Sequence, residues 1–164
     1  MKTVQFACET LLPQTPEVIA GQILDLSNWP EFKGYGPLPG IKQAIFEVQT
    51  NEIVGTRIRV TNRDGSTHAE EIIEWEPKRC LRLCMYDFSP PLSWLATSFD
   101  ETWELAVTDR GTKVLRSFAM HPKSILTMPL LWLISLLLRR AIVQHLEDIR
   151  TGTHRTTTSN DRPV

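Results

Sequence analysis

The stretch TMPLLWLISLLLRRAIVQHLEDIR, residues 127–150, decides how this chain folds. Thr127 can cap a helix, Pro129 falls harmlessly in its first turn, and Gly152 is a natural stop. About 23 residues rising 1.5 Å each make a helix of roughly 35 Å. Leu131, Ile134, Leu138, Ile142, His145 and Ile149 recur on one face, while Arg139, Arg140, Gln144 and Asp148 lie elsewhere. From Ser124 to Leu138 there is no charge, and Arg139 and Arg140 end the run. A bilayer span needs about 20 apolar residues. This run is shorter and holds a proline, so the expectation is a buried helix, with shallow membrane contact as the alternative.

What buries that face must come from upstream. Residues 41–50, 55–62, 67–76, 80–88, 97–108 and 112–121 alternate or carry β-forming residues, and residues 3–10 make an earlier strand. Asp64-Gly65, Pro77-Lys78 and Arg110-Gly111 offer tight turns between them. Short loops between successive strands mean an antiparallel meander. Between the first and second strands, Thr15-Pro16-Glu17 opens a helix. Asn28 and Glu31 are spaced as a capping box for a second short helix, which Gly34, Gly36, Pro37, Pro39 and Gly40 cut off.

The chain of 164 residues is one domain, expected over 1–150, with a polar, threonine-rich tail at 151–164 expected to be disordered. A net charge of −1 supplies no field to recruit nucleic acid. Cys8, Cys80 and Cys84 have neither zinc nor redox spacing and read as small buried hydrophobes of a reducing compartment. The N-terminus lacks a basic start followed by an apolar run, so a cytoplasmic location is expected. Histidines and acids show no metal spacing, and there is no nucleophile elbow, phosphate loop or GxGxxG, so neither metal nor cofactor is expected.

The order of elements is strand, two short helices, six strands, one long helix. Along it lie Leu24-Asp25-Leu26-Ser27-Asn28-Trp29-Pro30-Glu31-Phe32, Val54-Gly55-Thr56, Ile73-Glu74-Trp75-Glu76-Pro77 and Phe99-Asp100-Glu101-Thr102-Trp103 with Thr112-Lys113-Val114. In this order the segments resemble the SRPBCC superfamily of START domains, polyketide cyclases and birch-pollen-allergen-type proteins, over about residues 3–150. The resemblance implies an α+β helix-grip fold, a curved sheet of about seven strands wrapped around the last helix. It also implies a cavity for lipids, sterols, polyketides or other apolar ligands. Some members are cyclases or dehydratases and many only bind, and no catalytic set of the family maps onto this chain.

Strand alternation sorts the faces. Phe99, Glu101, Trp103, Leu105 and Val107 share one side of their strand, and Val114, Arg116, Phe118 and Met120 one side of the next. The hairpin between them makes these two sides coincide. Leu81, Leu83, Met85 and Asp87 are expected to join them. A two-residue turn at Asp64-Gly65 adds Glu71 and leaves His68 and Glu70 outside beside Arg59. The Pro77-Lys78 turn conflicts with this by one residue, which a bulge or a three-residue turn would resolve.

A charge on an apolar face demands a partner. Arg116 is therefore expected to pair with Glu101, and Asp87 or Glu71 could join. Such a cluster could orient a ligand's polar group, supply a general acid, or only fix the sheet. His145 reads as a core histidine. Ser89-Pro90-Pro91-Leu92-Ser93-Trp94-Leu95, with Tyr35 and Trp132, could form the pocket mouth and touch a membrane transiently. The leading expectation is a binding protein for a small apolar or amphipathic ligand. The alternative is a cyclase or dehydratase using Glu101, Asp87 or Glu71 as proton carriers and Arg116 to stabilise an enolate.

Overall fold

The computed structural model describes residues 2–152, so the tail from residue 153 onward lies outside the described residues. Strand β1 (Val4–Leu12) leads into helix α1 (Pro16–Leu24) and a 3-10 turn (Leu26–Glu31). A two-rung hairpin follows, β2 (Gly34–Tyr35) and β3 (Leu38–Pro39), then β4 (Ile41–Val48), β5 (Arg57–Asn62), β6 (Thr67–Glu76) and β7 (Cys80–Tyr86). A single turn, α2 (Leu92–Leu95), precedes β8 (Ala96–Thr108) and β9 (Gly111–Pro122), and α3 (Met128–Thr151) closes the described residues.

All strands but β2 and β3 form one antiparallel sheet in the order β1-β9-β8-β7-β6-β5-β4. This is the expected α+β architecture. Thr15 caps α1 through Val18 N–H, with Pro16 behind it, as the sequence suggests. The second cap moves: Asp25, not Asn28, receives Ser27 N–H, so the 3-10 turn starts earlier. Helix α3 ends at Gly152, whose positive φ of 68° lets its N–H reach back to Ile149.

Helix α3 buries Leu131, Ser135, Leu138, Ala141, Ile142 and Leu146 and lies along β1 and β9. Leu138, Ile142 and Leu146 pack with Leu12, Ile72, Leu81, Trp103, Val114 and Phe118 from the sheet. Leu131 joins a smaller cluster with Phe88, Phe99 and Met120.

The hairpin registers decide which side chains face the helix. The β8–β9 turn holds Asp109 and Arg110 between the pair Thr108 and Gly111, one residue earlier than Arg110-Gly111 would place it. Both flanking positions move together, so odd residues still oppose even ones and the two apolar faces coincide. The β5–β6 turn behaves differently. Asn62 N–H meets Ser66 O across three residues, Gly65 takes φ 88°, and Asp64 accepts from the backbone N–H and hydroxyl of Ser66. This is a three-residue loop with its glycine in the left-handed position. One extra loop residue changes the parity, so Ile58 pairs with Glu70 and Val60 with His68. Between β6 and β7 a three-residue turn and a bulge at Ile73 both occur, which brings Glu70 opposite Met85 and Ile72 opposite Leu83.

Candidate functional site

Between the concave face of the sheet and α3 lies a cavity of about 850 Å³. Its sheet wall carries Leu83, Met85, Phe99, Trp103 and Phe118, and its helix wall Ile134, Leu138 and Ile142. Small-molecule pockets run from about 300 to 1,000 Å³, so the space suits one ligand of that class.

The wall is apolar with a charged seam. Arg116 and Glu101 are both buried, at 7% and 3% exposure, and Arg116 Nε donates to Glu101 Oε1. The same oxygen accepts Trp103 Nε1–H at 2.7 Å, and the guanidinium lies 4.3 Å over the Trp103 ring. Alternation makes this grouping: Glu101 and Trp103 are two apart on β8, and Trp103 pairs with Arg116 on β9. Across the cavity, Arg116 Nη1 is 3.1 Å from His145 Nδ1 on α3. A guanidinium can only donate, so this nitrogen is the acceptor and the ring's other nitrogen carries the proton. Further along the wall, His68 Nε2 is 3.0 Å from Glu70 Oε1. Burial holds the Glu101 carboxyl above its ordinary range; the Arg116 cation pulls the other way, and the Glu70 charge adds to the upward push.

No family model matches the chain, and no curated protein sequence matches it either. Solved structures do. A START superfamily protein from Mycobacterium smegmatis superposes with a TM-score of 0.68 at 11% identity, over 93% of this chain and 99% of that one. Ginseng major latex-like protein 151 from Panax ginseng gives 0.66 at 14%, over 92% and 99%. The di-domain ARO/CYC StfQ from the steffimycin biosynthetic pathway gives 0.68 at 14%, over 92% of this chain and 50% of that one. This chain has the helix-grip fold.

Within the grip, Phe99, Glu101, Trp103, Arg116 and Phe118 come together on the cavity wall. Glu71 does not. The three-residue β5–β6 loop turns it to the outer face, where it accepts from Tyr86 Oη–H at 3.1 Å, and Glu70 takes the inner position. Asp87 is also outside. Strand β7 stops at Tyr86, and Asp87 adopts φ 53°, which breaks the alternation and sends its carboxylate to Arg59 at 2.8 Å. His68 and Glu70, expected outside beside Arg59, are brought to the cavity wall by the same register.

The pocket-mouth residues divide. Pro90, Pro91 and Leu92 border the cavity, but Tyr35, Trp94 and Trp132 are exposed and lie away from it. Tyr35 instead receives Arg140 Nη1–H at 2.8 Å. The sequence undervalued His68, Glu70 and His145. A signal for the first two exists in Asn62-Arg63-Asp64-Gly65-Ser66, which suits a three-residue loop as well as a two-residue one. His145 stood on the correct helix face, but nothing local marked Arg116 as its partner.

Among the described residues no group of histidine, cysteine and acidic side chains is placed to hold a metal. The three thiols are free, and burial pushes Cys84 up to about 11, so it carries little thiolate near neutral pH.

Proposed function

We propose that this chain binds one small amphipathic molecule, apolar over most of its surface with a polar handle, between sheet and α3. The cavity of about 850 Å³, with a buried Arg116–Glu101 pair on a mainly apolar wall, carries this reading. Apolar walls reward burial of the ligand body at about 25 cal/mol per Å². A guanidinium has five donors, of which Glu101 and His145 engage two, so the fork also suits an acceptor oxygen on the ligand. The fold's occurrence in START and major latex-like proteins is consistent with lipid-, sterol- or polyketide-like ligands.

Native mass spectrometry and solvent extraction of the expressed chain test this by looking for a co-purified amphiphile. Anilinonaphthalene sulfonate, apolar with an anionic handle, serves as a defined probe. Met85 is half-buried on the β7 wall, and Met85→Trp would occupy cavity space. The expected outcome is probe affinity down by more than about tenfold, or 1.4 kcal/mol, with the urea midpoint near the parent's. Unchanged affinity would place the probe elsewhere and count against the reading.

A second reading, proton transfer on a bound poly-ketone, draws on the fold shared with the ARO/CYC StfQ and on the raised Glu101 carboxyl. Under it, Glu101→Gln abolishes turnover and retains ligand affinity. Loss of folding and binding together would instead make Glu101 a structural anchor.

A further inference from the structure

The outward face of α3 departs from what a core helix normally shows. Its first three turns bury Leu131 and Leu138, yet expose Leu130, Trp132 and Leu133 on the other side. A second 3-10 turn, Ile125–Thr127, leads into α3 and adds Ile125 and Leu126, the latter 87% exposed. A solvated helix face ordinarily carries charges, and contiguous exposed apolar patches mark interaction sites. The patch extends to α2. Leu95 O accepts from Lys123 N–H and Thr127 Oγ1–H, and Ser93 O accepts from Lys123 Nζ, so Trp94 stands at the same corner, 66% exposed.

Charge says what covers it. From Lys123 to Gln144 there is no acidic residue, while Lys123 begins the run and Arg139 and Arg140 end its apolar part, all exposed. Between Ser89 and Phe99 there is no charge at all. A second copy docked by a two-fold would set these cations against a surface without an acid to receive them. An anionic bilayer receives them well: apolar side chains enter the acyl boundary, tryptophans sit at headgroup level, and flanking cations meet the lipid charge. The helix cannot cross such a bilayer without leaving the core, because Leu138, Ile142 and Leu146 are locked against the sheet.

We infer that the apolar outer face of α3 and the Trp94 corner dock on an anionic lipid surface, lying in the interface. Leu92 and Leu137, which border the cavity, flank this face, so docking sets the cavity edge against the lipid. The inference stands without the cavity being occupied.

Flotation of the full chain with phosphatidylcholine vesicles, with and without phosphatidylserine, tests it. The parent is expected to float with serine-containing vesicles and to release at high salt. Each arginine near such a surface contributes about fivefold, so Arg139→Gln with Arg140→Gln weakens that binding by about 25-fold and leaves the weak binding to phosphatidylcholine alone unchanged. Leu126→Glu with Leu133→Glu abolishes flotation with both, while far-ultraviolet circular dichroism and probe binding in the cavity stay at parental levels. Flotation retained by the double-glutamate variant, or absent from the parent, overturns the inference. So does a parental dimer that the same substitutions turn into a monomer, which would make a second copy the occupant.

Discussion

Replacing Arg116 by methionine is expected to cost about 3–5 kcal/mol of stability at neutral pH. The figure is that of breaking a buried ion pair, and it arises mostly from what is left behind. Glu101 would keep its 3% exposure and lose its cation, with only Trp103 Nε1–H still donating to it. The pH dependence is the specific test. In the parent, burial already holds the folded Glu101 carboxyl above its unfolded value, despite Arg116. A group with a raised folded pKa contributes its full stability below the unfolded pKa and loses it as pH rises through the folded one. Removing Arg116 removes a lowering influence, so the folded value climbs further and the loss extends to higher pH. The deficit against the parent should therefore be smallest in acid and grow toward neutrality in urea titrations. Adding Glu101→Leu should recover most of it. A deficit that is flat with pH, or a double variant no better than the single, would sink this account.

Substituting Gly111 by alanine should cost about 3 kcal/mol, from two causes acting together. Its φ of 132° is one that side chains rarely adopt. An added Cβ would also stand 2.2 Å from Leu12 O and 3.1 Å from Pro13 Cα, and backbone atoms cannot swing aside. Gly65 separates the two causes, since its φ is 88° but nothing lies within 4 Å of its Cβ position. Gly65→Ala should cost only the left-handed penalty of about 1–2 kcal/mol. Equal costs at the two sites, measured by denaturant unfolding, would show that the close approach does not matter. The site has functional weight because Thr112 Oγ1–H donates to Gln14 O at 2.7 Å, and Pro13 and Gln14 border the cavity. The close approach at Gly111 thus seats two residues of the cavity border.

How much of this was legible depended on whether a signal was local. Helix α3 announced itself through its 3.6-residue stripe and Gly152, and the β8 and β9 faces through strict alternation, so Glu101, Trp103 and Arg116 were placed without coordinates. Where placement hung on loop length, one residue reversed it. An error of one at each side of the β8–β9 turn left the faces intact, but one at a single side of β5–β6 exchanged Glu71 for Glu70 and His68. Asp87 was misplaced because a left-handed residue ends the alternation, and a sequence pattern does not register a φ of 53°. The pairing of His145 with Arg116 joins residues 29 positions apart on different elements, a contact that only the packing of helix on sheet creates.

That last contact makes the cavity a spanned space. The guanidinium fixed on β9 reaches over to the imidazole on α3, so the sheet and helix are strapped to each other through the very donor group that a ligand's handle would want. A handle that takes one of the other guanidinium donors leaves the strap fastened, whereas one that takes the Nη1–H given to His145 must unfasten it, and whatever lifts α3 slightly would make room for that second kind of molecule. For such a molecule, occupancy and helix seating are two sides of one equilibrium, each biasing the other by the same free energy.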